Sequence, residues 1–188
     1  MNHIPPNPGG SSLRSPRLLY AMAAVAVASL VVLLGSSSAF ASGPGTGFGF
    51  NAPNIAGAPT GAVFLTGGGA FNPSIGFVHS AGGFRCTSQV DQGPLAGCLT
   101  GQGVRWDTAN LLQSTAFTCT GEPEPLANTI DSTVVLSADF YRAGDGNDES
   151  FTAKMIVSAT DIAPNLPGVQ NVWVQGVGCG TAVVNFSS

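Results

Sequence analysis

The chain has 188 residues, ten acidic against six basic, and a formal net charge of −4. Beyond residue 41 all ten acids remain but only Arg85, Arg105, Arg142 and Lys154 of the bases, so that part carries four minus ten, or −6. An acidic surface repels a phosphate backbone, and four bases spread along the sequence make no basic stripe, which excludes nucleic acid as a partner.

The N-terminal 41 residues differ in texture from the rest. Met1–Pro16 is polar, with Arg14 as its one charge, and Arg17 follows. Leu18–Leu34 (LLYAMAAVAVASLVVLL) then runs for 17 residues without a charge and ends at Gly35 and three serines. Ala39-Phe40-Ala41 supplies the small-x-small pattern that a signal peptidase accepts. Basic flank, apolar run and A-x-A site in that order describe a secretory signal peptide over 1–41. The alternative is an uncleaved signal anchor, because a helix of that length reaches roughly 26 Å, near the thickness of a hydrocarbon core. Contact with a membrane is therefore expected only through residues 18–34, and only if they are retained.

Ser42–Gly61 is uncharged and rich in Gly and Pro, and reads as a flexible spacer. From Ala62 to Ser188 short runs of Val, Thr and Phe alternate with clusters of Gly, Pro, Asn and Asp, the pattern of strands and turns. Weak strand signals lie at 62–66, 75–79, 83–88, 103–106 and 115–120. Asp107–Gln113 (DTANLLQ), with Asp107 as N-cap, is the one stretch that suggests a turn or two of helix. Thr133–Arg142 and Phe151–Ala159 predict an antiparallel hairpin. Val134, Leu136, Ala138 and Phe140 share its inner face with Phe151, Ala153, Met155, Val157 and Ala159. Val172–Val177 and Thr181–Phe186 form a second strand pair or one long bent strand, broken by Gly176, Gly178 and Gly180. The fold class is all-β: an antiparallel β-sandwich or small β-barrel of about eight strands, after an N-terminal signal or anchor helix.

Cys86, Cys98, Cys119 and Cys179 all fall in the exported part. An even number of cysteines in an exported chain, without a C-x-x-C pair, points to two disulfides rather than a metal site. Three pairings are open; chain order favours Cys86–Cys98 with Cys119–Cys179.

No catalytic motif is present. His79 lacks a sequence neighbour that would make it a general base, because strand alternation turns Ser80 to the opposite face. Asp91, Asp107, Asp131, Asp139 and the pair Glu122 and Glu124 are dispersed. Gly144–Glu149 resembles a single calcium-binding turn, but one copy with a partial pattern reads as an acidic hairpin loop. Trp106, Trp173 and Tyr141 are the candidate ligand platform, on which a sugar ring could stack, with core packing as the competing reading. No cofactor and no metal are implied. The expected function is an exported, non-catalytic β-domain that binds or decorates an extracellular or cell-surface partner. A polymer hydrolase built on dispersed carboxylates, or a small-ligand carrier, are the alternatives.

Overall fold

The computed structural model describes residues 45–57, 60–141 and 150–188. The signal or anchor helix and the acidic loop at 142–149 lie outside the described residues.

Eleven strands and no helix form in this range. They are β1 (Thr46–Gly57), β2 (Ala62–Asn72), β3 (Phe77–Ser88), β4 (Arg105–Leu112), β5 (Ser114–Thr115), β6 (Ala127–Asn128), β7 (Thr133–Tyr141), β8 (Ser150–Ser158), β9 (Val172–Val174), β10 (Gly178–Gly180) and β11 (Val183–Ser187). All pairings are antiparallel. Nine strands form one sheet in the order β10-β9-β8-β7-β4-β3-β2-β1-β11, while β5 and β6 make a small separate ladder. β10 also bonds to β1, with Ala56 opposite Cys179, so the sheet returns on itself and closes. β10 and β11 lie end to end along one edge of β1, whose earlier part pairs Asn51 with Val183 and Gly47 with Ser187.

Two expectations are corrected here. Ser42–Gly61 is not a spacer throughout: Thr46–Gly57 is a twelve-residue strand bonded on both edges. Its glycines alternate with Phe48 and Phe50, and these rings, both buried, bring enough apolar surface to outweigh the entropic cost of ordering glycine. Asp107–Gln113 is not helical either, because its residues to Leu112 belong to β4. The register against β7 shifts between Thr108 and Asn110, a bulge that breaks the strict alternation and imitates helical spacing.

The hairpin forms as the alternation predicts, with Leu136 opposite Met155 and Ala138 opposite Ala153. Its inner face is buried, except that Phe151 is half-buried and Ala159 is exposed beyond the end of β8. The other face of the hairpin is not wholly polar: Val135 and Ile156 are fully buried there. They belong to a second apolar cluster with Phe117, Cys119, Ala127, Ala163, Trp173 and Cys179, under the segments that follow β4 and β8. Asp161 organises the later segment: its Oδ1 accepts from the backbone N–H groups of Ala163 at 3.0 Å and Gln170 at 3.1 Å.

The interior is filled by Phe48, Phe50, Phe71, Phe84, Trp106 and Phe140 with aliphatic neighbours. Trp106 is fully buried and donates from Nε1 to the Thr66 carbonyl at 2.9 Å. Gly67 and Gly82 make room for it. A Cβ at Gly67 would stand 2.5 Å from the Trp106 ring, and one at Gly82 would meet both the indole nitrogen and the Thr66 carbonyl.

Both expected disulfides are present, Cys86–Cys98 and Cys119–Cys179, with no free cysteine among the described residues. The first closes a loop whose Val90 and Leu95 are fully buried at one end of the sheet. There the backbones of Gly93 and Gly176 touch, both in the left-handed conformation that glycine tolerates. The second ties the segment after β5 to β10. In a chain-entropy account these links contribute about 3 and about 4 kcal/mol.

Gly82→Ala is expected to lower the melting temperature by about 5 °C or more, an overpacking cost of roughly 2 kcal/mol. Gly49→Ala, whose added Cβ would come no closer than 3.9 Å to the Gly67 carbonyl oxygen, is expected to leave it unchanged; thermal denaturation compares the two. Alkylation of the unreduced, denatured protein is expected to add no label by mass spectrometry. Replacing Cys119 and Cys179 with serine together is expected to red-shift tryptophan fluorescence, because the cover over Trp173 is then tethered only by weaker contacts.

Candidate functional site

The three residues proposed as a ligand platform do not form one. Trp106 points into the filled interior. Trp173 does face away from Val172 and Val174, as alternation requires, but its face is covered: the ring packs 5.7 Å from Phe117, and Nε1 donates to the Thr118 carbonyl at 2.9 Å. At 4 % exposure it offers a ligand almost nothing. The segment that covers it, within residues 113–132, carries no strong periodicity in sequence. Tyr141 alone remains half-open, on the outer face.

Around Tyr141 the closed sheet assembles groups that lie far apart in sequence. Outward positions of β2, β3, β4 and β7 come into line because each is one step of the pleat from an inward aromatic: Phe84 inward places Arg85 outward, Trp106 places Arg105 and Asp107, and Phe140 places Asp139 and Tyr141. Register then brings Arg85 opposite Phe64, Gly83 opposite Arg105, Arg105 opposite Tyr141, and Asp107 opposite Asp139. The Arg105 guanidinium carbon sits 4.4 Å from the centre of the Tyr141 ring, and its Nε lies 3.8 Å from Asp107 Oδ2. Thr152 on β8 donates its hydroxyl to Asp139 Oδ1 at 2.5 Å.

Beside this row a cleft of about 800 Å³ opens on the outer face, lined by Pro53, Phe64, Arg85, Thr87 and Val104 among others. Arg85 is exposed and makes no ion pair among the described residues. A half-buried ring beside an unengaged guanidinium suits a flat ligand bearing an anionic group: the ring supplies contact area, and the guanidinium a forked donor for a carboxylate. Arg85 and Arg105 looked scattered in sequence. The signal that could have joined them is their common parity in two short strands separated by one disulfide-closed loop.

The structure does bring two of the dispersed carboxylates, Asp107 and Asp139, to directly paired positions. Like charges opposite one another on a sheet repel, and here Arg105 and Thr152 offset the repulsion. Asp91 instead accepts from the Gln89 amide at 2.6 Å, and Asp161 bonds to backbone. His79 is exposed on β3 and its imidazole makes no hydrogen bond among the described residues, while Ser80 is buried on the opposite face and bonds to Thr108. No group of three metal-binding side chains occurs among the described residues. No protein-family model, curated protein or solved structure matches the chain.

Arg105→Ala is expected to destabilise the fold by about 0.5–1 kcal/mol, more in low salt than in high, since it leaves Asp107 and Asp139 facing each other. Adding Asp107→Asn is expected to recover most of the loss, and a double-mutant cycle by chemical denaturation measures it.

Proposed function

We propose that this chain is an exported, disulfide-braced barrel that binds a cell-surface or extracellular partner through its outer face. The observation that carries this reading is the filled interior. Eight strands enclose an interior into which large side chains project, with Leu65, Phe71, Trp106, Leu136, Phe140 and Met155 fully buried, which favours the outside as the place for a ligand. That packing weighs against a carrier.

Export is supported by the order of basic flank, apolar run and A-F-A site, and by two disulfides, which persist in oxidising compartments. Cleavage after Ala41 is the favoured fate of the leader, with retention as a membrane anchor the alternative. The partner is one with flat, acidic groups, such as a carboxylated surface polymer, held by Phe64 and Arg85 with Tyr141 and Arg105 at the rim.

A second reading is favoured by one observation, the pairing of Asp107 with Asp139. A hydrolase for extracellular polymers needs two carboxylates facing a substrate groove. On this face each carboxylate already has a partner, Arg105 or Thr152, which fits a structural pair better than an acid and a nucleophile.

Intact mass of the protein recovered from its exporting host checks the leader; a mass lacking residues 1–41 is expected. Retention on isolated cell envelopes checks the site. Phe64→Ala with Arg85→Ala is expected to weaken retention by about tenfold or more, the loss of one stacking contact and one charged hydrogen bond. Asp107→Asn and Asp139→Asn are expected to leave it unchanged. Release of reducing ends from the envelope polymer, abolished by Asp139→Asn, would instead establish the hydrolase.

A further inference from the structure

The closed sheet has an open seam along β11. β9 and β10 run side by side only as far as Asn171, whose side-chain amide ends the ladder: Nδ2 donates to the Ala182 carbonyl at 3.0 Å, and Oδ1 accepts from the Ala182 N–H at 2.7 Å. Beyond that fork the chain continues as β11, bonded to β1 on one edge and to no strand on the other among the described residues. Alternate N–H and C=O groups of Val183–Ser187 therefore point outward from the sheet without a strand to receive them.

An open strand edge is a template for pairing, and proteins ordinarily protect such edges with lysine, proline or an inward charge. Val-Val-Asn-Phe-Ser-Ser, the last six residues, contains none of these. Its side chains alternate cleanly. Val183, Asn185 and Ser187 are exposed, Val183 at 72 %. Val184 and Phe186 are half-buried against the core, where the Phe186 ring lies 6.0 Å from Phe48 and 6.2 Å from Phe71. An added strand would thus continue an apolar inner face and a polar outer one.

We propose that this edge joins two copies of the chain, their β11 strands pairing antiparallel about a two-fold axis at Asn185. The strand complements itself in that register. Val184 of one copy meets Phe186 of the other, twice, which extends the aromatic cluster across the axis. Val183 meets Ser187 at each end, and Asn185 meets Asn185. A two-fold contact requires one patch to fit itself, and this pattern does. Although the exported part carries a charge of −6, no charged residue lies in β11 or at the β1 positions it faces, from Gly47 to Asn51, so two copies approach there without local repulsion. The inference is independent of the ligand cleft, which lies on β2 and β3 around Phe64 and Arg85.

The test uses the full chain as its exporting host delivers it. Sedimentation over roughly 1–200 μM, the range for an interface of a few strand bonds, is expected to show a monomer–dimer equilibrium. Asn185→Lys and Asn185→Asp each place like charges opposite one another at the axis, and each alone is expected to weaken association about tenfold or more. Both substitutions sit at an exposed position, and unchanged melting curves verify the fold. An equimolar mixture of the two variants is expected to restore the dimer, now as a heterodimer. Association through any other surface, residues 18–34 included, is indifferent to the sign of charge at 185. A parent that stays monomeric, variants that associate as the parent does, or a mixture without restored pairing would overturn the proposal. So would a monomeric parent that binds a synthetic Val-Val-Asn-Phe-Ser-Ser peptide, since the edge would then accept foreign strands and not a second copy.

Discussion

Closing an antiparallel sheet demands that its first and last strands find each other in register, and here β1 meets β11 over Gly47–Asn51 and β10 at Ala56 and Gly57. That single pairing creates an inside. Without it the inward faces of β1, β2 and β11 would present Phe48, Phe50, Phe71 and Phe186 to water. With it they pack against one another, stacked or edge-on, at centroid distances of 5.9–6.5 Å. The disulfides follow from the same closure. Cys119–Cys179 fastens its cover to the closing strand itself, and the Cys86–Cys98 loop caps the end that closure leaves open.

A filled interior has consequences for function. The glycines at 67 and 82 let strands β2 and β3 approach the Trp106 indole so closely that no ligand space remains beside it. The proposed recognition surface is therefore the outer face, where the pleat repeats the inner pattern one residue out of phase. The outward row of Arg85, Arg105, Asp107, Asp139 and Tyr141 is a by-product of packing Phe84, Trp106 and Phe140 inside. Site and core are two readings of the same strands, so a register slip in β3 or β4 would dismantle both.

Closure is also incomplete, and the incompleteness is local. The Asn171 amide substitutes for a strand at one position and then the ladder stops, leaving five residues of β11 half-paired. An uncharged edge at β11 is what the proposed pairing of two copies requires. Exposed valine at 183 would otherwise be an aggregation hazard without compensation.

Local chemistry was enough to determine several features from sequence. Alternation marked the β7–β8 hairpin down to its inward residues, because one face of each strand had to be apolar and the period of two is short. The cysteines announced two disulfides, and chain order favoured the pairing found without excluding the other two. Alternation also oriented Trp173 away from Val172 and Val174. The tertiary structure decided everything that depends on what a face meets. It turned Gly-rich Thr46–Gly57 into a doubly bonded strand, converted Asp107–Leu112 from an apparent helix to a bulged strand, and buried Trp173 under a segment with no pattern of its own. It also brought Phe64 to Arg85 and Asp107 to Asp139. These outcomes rest on pairing between strands distant in the chain, and pairing is governed by backbone hydrogen bonds that every residue but proline offers alike. A strand's sequence therefore specifies which of its faces is apolar, while its neighbour is chosen only when the whole sheet closes.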